Sequence, residues 1–125
     1  MWIFILLFVC NLLIPLLMAV IGLISEKHAV RDINGIIGYR TSRSMKNQET
    51  WDFAQHYMGK VWKKVGICLL IISVPVNIVG FSLGENIFSI ITAILETIQV
   101  IVLLGSIIPV ERALKKNFDE NGKRR

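Results

Sequence analysis

Apolar positions in this chain come in long unbroken runs, not in the spaced patterns of a soluble core. Three windows, Trp2 to Ile24, Val65 to Leu83 and Ile87 to Val110, are almost wholly apolar. Crossing ~30 Å of hydrocarbon takes about 20 such residues in a helix, while runs of about 10–14 suit a buried soluble helix. The pattern predicts an all-α integral membrane protein, a three-transmembrane-helix bundle with a cytoplasmic interfacial amphipathic helix. Residues 1–125 then form a single membrane domain, with spans at about 2–24, 65–83 and 87–110, a cytoplasmic segment at 25–64 and a cytoplasmic tail at 111–125. The first window lacks a basic stretch before it and a small-residue cleavage site after it, and it outruns a signal-peptide core, so it reads as a retained span.

Between the first two spans the period changes. Trp51, Ala54, Met58, Val61, Trp62 and Val65 recur at spacings of three and four, while Asp52, Gln55, His56, Lys60, Lys63 and Lys64 take the remaining surface. Asn47 suits the N-cap of this helix, and Glu49 in the first turn suits the positive end of its dipole. The stripe predicts a helix lying at the inner interface with Trp and Lys at headgroup depth, and Gly59 bending the chain into span two. One straight helix from Asn47 to Leu83 is the alternative. Upstream, Ser25 to His28 and Arg31-Asp32 form a charged exit, Asn34-Gly35 signals a turn, and Ile36-Ile37 returns the chain to lipid or bundle. Gly38 lets the backbone approach a neighbour closely. Arg40 and Arg43 suit lipid phosphates or a partner's carboxylates.

The net charge of +5 is explained by where the cations lie. Every Lys and Arg falls between Lys27 and Lys64 or between Arg112 and Arg125, and none lies at the N-terminus or in the Ser82–Asn86 connection. Under the positive-inside rule both basic regions are cytoplasmic, and the N-terminus and second connection are outside. The bilayer, not nucleic acid, accounts for the charge. Tail residues Glu111 to Arg125 hold no apolar stripe long enough to fold alone.

Polar residues inside the spans form a second pattern. In span one, Pro15 leaves the carbonyl of Asn11 without its helical donor, beside the Asn11 side chain. Either a neighbouring helix satisfies these groups or they line a small polar pocket. Span two carries Ser73, Pro75 and Asn77, and the tight Gly84-Glu85-Asn86 turn makes spans two and three antiparallel neighbours. In span three Ser89, Thr92, Glu96 and Gln99 share one helical face. A central carboxylate costs about 2.5–3.5 kcal/mol on translocon scales, so Glu96 should face protein. Asn11, Ser73, Asn77, Thr92, Glu96 and Gln99 are therefore expected to form one buried polar layer, with Pro109 ending the third span. Glu96 reads in two ways: a protonated strut gluing helices together, or a site that responds to protons or a ligand.

Candidate chemistry adds little. Cys10 and Cys68 both fall in apolar windows and read as reduced, small apolar residues. His28 and His56 lack partners at metal-ligand spacing, so neither a metal nor any other cofactor is expected, and no enzyme is indicated.

Ile37-Gly38-Tyr39-Arg40-Thr41, then Ser44-Met45, Trp51, Phe53-Ala54 and Gly59-Lys60, with Ile108-Pro109 closing the last span, resemble the SdpI/YfhL family of bacterial membrane proteins. The resemblance runs from about Asn34 to the end, and the chain reads as a short, three-span member. It implies a multi-pass protein of the bacterial cell membrane that protects its cell against a secreted peptide toxin. In the prototype it also implies signalling through a cytosolic transcriptional regulator. On that reading Gly38, Tyr39, Arg40, Thr41, Arg43, Ser44, Trp51, Ala54, Gly59 and Lys60 are the candidate partner-binding set. An oligomeric small transporter or channel subunit using Glu96 is the rival, and it requires a homo-oligomer because three spans enclose little pore. A structural or lipid-sensing protein is a third reading.

Overall fold

A computed structural model describes residues 2–28, 30–34, 36 and 38–125. The turn and return expected at Gly35 and Ile37 therefore fall partly outside the described residues. The chain forms α1 (Trp2–Lys27), α2 (Gln48–Ser82), α3 (Glu85–Gly105) and α4 (Ile107–Asn117). Three stretches, Trp2–Lys27, Gln48–Ser82 and Glu85–Asn117, are long and apolar enough to cross a membrane. Large apolar side chains such as Ile71, Ile78, Ile90 and Leu104 point outward, while Asn11, Ser73, Asn77, Thr92 and Gln99 are buried between helices. That arrangement suits a bilayer, where lipid covers apolar surface and polar groups must be satisfied internally.

Helices α1 and α2 pack antiparallel through small residues. A Cβ added at Gly59 would lie 2.6 Å from the Glu26 backbone nitrogen, and one at Gly66 would collide with the backbone of Ala19. Gly22 meets α2 backbone at Gly59 and Lys63 in the same way. In membranes this close approach, not apolar burial, supplies much of the helix–helix attraction. Lys63 and Glu26 close the basic end of this pair with an ion pair at 2.5 Å.

The interfacial helix expected from the stripe is not a separate element. Helix α2 runs unbroken for 35 residues, about 52 Å at 1.5 Å per residue. It outreaches the hydrocarbon and carries its first turns beyond the membrane. Gly59 does not interrupt it, and its missing Cβ is spent on contact with α1. The alternative of one helix through both segments describes the molecule. Its N-terminus is the expected one: Asn47 Oδ1 accepts from Thr50 N at 2.9 Å, and Thr50 Oγ1 accepts from Asn47 N at 3.1 Å.

Leu83 and Gly84 alone join α2 to α3, with Gly84 at φ +96°. At this end Phe4 stacks obliquely on Phe81 and Phe88, with centroids 4.6 and 5.4 Å apart, and Phe88 covers Gly80. The third span breaks at Ser106, before Pro109. Pro109 falls in the first turn of α4, where its missing N–H costs nothing. The tail, too poor in apolar residues to fold alone, is folded against α2. Val110, Leu114 and Phe118 are buried on Ala54, Met58 and Tyr39, edged by Phe53, Tyr57, Val61 and Trp62.

Candidate functional site

The segment from Gly38 to Lys60 and the C-terminal strap build one compact platform at the basic end of the bundle. Its centre is Gln55, whose side-chain amide clamps the backbone of Tyr39. Tyr39 N donates to Gln55 Oε1 at 2.7 Å, and Gln55 Nε2 donates to Tyr39 O at 2.7 Å. Gly38 makes this possible: it sits at φ +105°, and a Cβ there would lie 2.9 Å from Gln55 Oε1 and 3.3 Å from the Trp51 ring. The close approach expected of Gly38 is thus an approach to α2. Next, Thr41 and Ser44 bond reciprocally, Thr41 N to Ser44 Oγ at 2.8 Å and Ser44 N to Thr41 Oγ1 at 3.2 Å. Thr50 Oγ1 ties this turn to the helix cap by donating to Ser44 O at 3.1 Å. Trp51 is fully buried, and its indole N–H donates to Val30 O at 2.8 Å.

The strap closes the other side. Tyr39 Oη donates to Glu111 Oε1 at 3.0 Å, linking the loop to α4. Trp62 Nε1 donates to Ser106 Oγ at 3.0 Å, holding the break between α3 and α4. Asn47 Nδ2 donates to Gly122 O at 2.8 Å, and Arg124 pairs with Glu49 at 2.8 Å while lying over the Phe118 ring. Burial, and then the Glu111 carboxylate accepting its hydroxyl, push Tyr39 above the ordinary tyrosine range. A raised folded value means this contribution is complete below the unfolded tyrosine pKa of about 10 and is lost as pH rises beyond it. The parent should therefore lose thermal stability more steeply above about pH 10 than Tyr39→Phe. Parallel alkaline profiles would show that the phenol carries no such linkage.

The expected partner-binding residues divide by exposure. Tyr39, Ser44, Trp51, Ala54 and Gly59 are buried and act as scaffold, whereas Gly38, Arg40 and Lys60 are exposed and Thr41 and Arg43 partly so. Arg40 Nε donates to Asn34 O at 3.1 Å on the surface. A groove of about 500 Å³ runs between Thr41, Ser42, Arg43 and Lys46 on one wall and Glu111 and Glu120 on the other. Gln55, assigned to the polar surface from the pattern, is 1% exposed. Its position four after Trp51 and three before Met58 places it on their face, and that spacing was the available signal.

Inside the bundle Asn11, Ser73, Asn77, Thr92 and Gln99 are buried in a hydrogen-bonded seam, while Glu96, expected in the same layer, is only partly buried. Asn11 Nδ2 donates to Asn77 Oδ1 at 2.6 Å and to Thr92 Oγ1 at 3.2 Å. Gln99 Nε2 donates to Ser73 Oγ at 3.0 Å and to the Asn11 carbonyl at 2.9 Å, the acceptor that Pro15 left without a helical donor. Asn77 Nδ2 donates to Ser73 O at 2.7 Å. Asn11 and Gln99 make the bonds that join the three helices. The Glu96 Oε1 atom is buried with no hydrogen-bond partner among the described residues. Cys10 and Cys68 are free and exposed on the span surfaces. His56 Nδ1 lies 3.0 Å from Glu26 O, and no group of three His, Cys, Asp or Glu able to hold a metal occurs among the described residues.

The uncharacterized protein YfhL of Bacillus subtilis (strain 168) is 29% identical over 72 residues, 58% of this chain and 59% of that protein. The chain thus spans less than two thirds of that relative's length. No solved structure matches it. The family model described as the SdpI/YfhL protein family matches residues 31–110, from the platform loop through the third span. With well over half of its length matched, the chain belongs to the SdpI/YfhL family.

Proposed function

We propose that this protein is a membrane immunity protein, protecting its cell against a secreted peptide toxin, with the platform as the surface that passes the signal to a cytosolic partner. The observation that carries the reading is the extent of the family match, which takes in the platform loop, all of α2 and α3 together. The structure adds a physical division of labour. The buried members of the motif hold the loop in place, Arg40 stands exposed on its surface, and Arg43 lines the groove opposite Glu111 and Glu120. Guanidinium groups held on a rigid loop suit a partner's carboxylates. The basic platform belongs in the cytoplasm by the positive-inside rule, with the Gly84 turn outside.

Two measurements test this. Single-cysteine labelling in intact cells should find Lys46 and Lys116 positions protected and Gly84 reactive; a reactive position 46 would invert the arrangement. A sensitive bacterium expressing the chain should survive the secreted peptide encoded by a neighbouring gene. Arg40→Ala combined with Arg43→Ala should then abolish induction of the partner's target genes while abundance in the membrane stays near the parent's. Full signalling by that double variant would remove the platform from the function. Trp51→Ala, by contrast, should lower abundance, since it empties a fully buried site.

A second reading, an oligomeric small transporter or channel subunit, is favoured by one observation. Glu96 Oε1 lies buried in the third span with no hydrogen-bond partner among the described residues of a single copy. Ion flux from proteoliposomes containing the purified chain, lost in Glu96→Gln, would support it over immunity.

A further inference from the structure

The seam between the spans has a surplus of buried acceptors. Asn11 and Gln99 are both 0% exposed, and each spends its amide nitrogen on two acceptors. Their side-chain oxygens, Asn11 Oδ1 and Gln99 Oε1, are left buried without a donor among the described residues, and so is Glu96 Oε1. Gln99 and Asn11 touch directly, at 2.9 Å from Nε2 to carbonyl, and Glu96 stands one turn before Gln99 on α3. The hydroxyls of Ser73 and Thr92 accept bonds in the same seam and do not reach the three oxygens. A buried polar atom left unpaired costs about 1–3 kcal/mol, and a ligand shared by the three would offset that cost.

Chemistry narrows the occupant. All three atoms are oxygens, a hard donor set of one carboxylate and two neutral amides, which suits alkali or alkaline-earth cations over soft metals. Glu96 is the one charged side chain in the spans. Helices α1 and α2 bring no charge between Trp2 and Ile24 or between Val65 and Ser82, and their other titratable groups there are the thiols Cys10 and Cys68. One carboxylate in hydrocarbon balances one positive charge, and a divalent ion would leave an uncompensated charge where that is most costly. A proton on Glu96 supplies a single O–H, which can satisfy one amide oxygen and leaves the other unpaired. A monovalent metal ion can be shared by all three.

We propose that the seam binds a monovalent metal cation of the sodium class through Asn11 Oδ1, Gln99 Oε1 and the Glu96 carboxylate, in exchange for a proton on Glu96. Charge balances in either state: the cation enters as the proton leaves. Binding would tie α1 to α3 at the level where Pro15 opens α1, and so make the packing of the bundle depend on sodium.

The test uses the full chain in lipid nanodiscs, with sodium chloride compared against N-methylglucamine chloride at equal ionic strength. Sodium is expected to raise the thermal unfolding midpoint where N-methylglucamine does not. Dicyclohexylcarbodiimide, which attacks protonated carboxyls in apolar surroundings, should modify Glu96 severalfold less in sodium, with the protection growing as pH rises. Glu96→Gln keeps the side-chain shape and should lose the sodium-dependent rise. Equal midpoints in the two salts, or modification of Glu96 that ignores sodium at every pH, would reduce the seam to a proton site or a structural layer and overturn the proposal. If the variant fails to fold, carbodiimide protection in the parent decides alone. No toxin enters these readouts, so their outcome is separate from that of the immunity reading.

Discussion

Replacing Gly59 with leucine is expected to leave little folded protein in the membrane. The atoms that the new Cβ would meet are backbone, Glu26 N at 2.6 Å and the Ser25 carbonyl carbon at 2.9 Å. Backbone on two packed helices cannot swing aside as a side chain can, so α1 and α2 must separate. Separation at this point also loosens the contacts at Gly22 and Gly66 and stretches the Lys63–Glu26 pair. Overpacking a tight site typically costs about 1–3 kcal/mol, and this site belongs at or above the upper end. Gly59→Ala should destabilise less but measurably. Gly105→Ala is the control, since nothing lies within 4 Å of a Cβ there; it should be neutral or slightly stabilising. Thermal midpoints and membrane abundance check the series. A Gly59→Leu protein as stable as the parent would show that the two helices do not meet as described.

Gln55→Leu is expected to unfasten the platform from α2. The substitution keeps the size of the side chain but removes both bonds to Tyr39, leaving a buried N–H unpaired and its C=O with only the 3.2 Å bond from Ser44 Oγ. At about 1–3 kcal/mol for the unsatisfied N–H and about 0.5–1.5 kcal/mol for the bond lost to the C=O, the cost falls near about 1.5–4.5 kcal/mol, concentrated in the loop. Limited proteolysis between Arg31 and Lys46 should accelerate strongly, with the spans still protected by lipid. Lys64→Ala, at an exposed position of the same helix, should change stability by no more than about 0.5 kcal/mol. A proteolysis pattern for Gln55→Leu that matches the parent's would mean the clamp does not hold the loop.

Much of the architecture was legible in the chain because each part rests on local physics. Three apolar windows of spanning length dictate three spans, whatever their neighbours. Asn47 caps α2 because its side chain reaches a backbone N–H only three residues away. Pro15 removes a donor from the Asn11 carbonyl wherever the helix packs, so the need for a partner could be stated in advance; that Gln99 of α3 would meet it could not. The spacing of the polar residues in α3 put Thr92, Glu96 and Gln99 on one face. It could not tell which of them would turn inward: Gln99 is 0% exposed and bonded, while Glu96 is only partly buried, with one oxygen that has no partner among the described residues.

Tertiary structure decided what covers each face. The stripe of Trp51, Ala54 and Met58 was correctly apolar, but period alone cannot distinguish a lipid surface from a protein one. Val110, Leu114 and Phe118 cover it, from a tail whose few apolar residues are too sparse to fold without it. Gly59 reads equally well as a hinge or as a contact, since glycine permits both, and only the position of α1 selects contact. The spacing of Gln55 from Trp51 and Met58 puts it on their face, but its partner there is the Tyr39 backbone, which no side-chain pattern records. Local propensities and bilayer thickness thus determine the helices and their number. Which glycines meet, which amides pair and where the strap lies depend on contacts between residues far apart in the chain, and those form only when the helices are brought together.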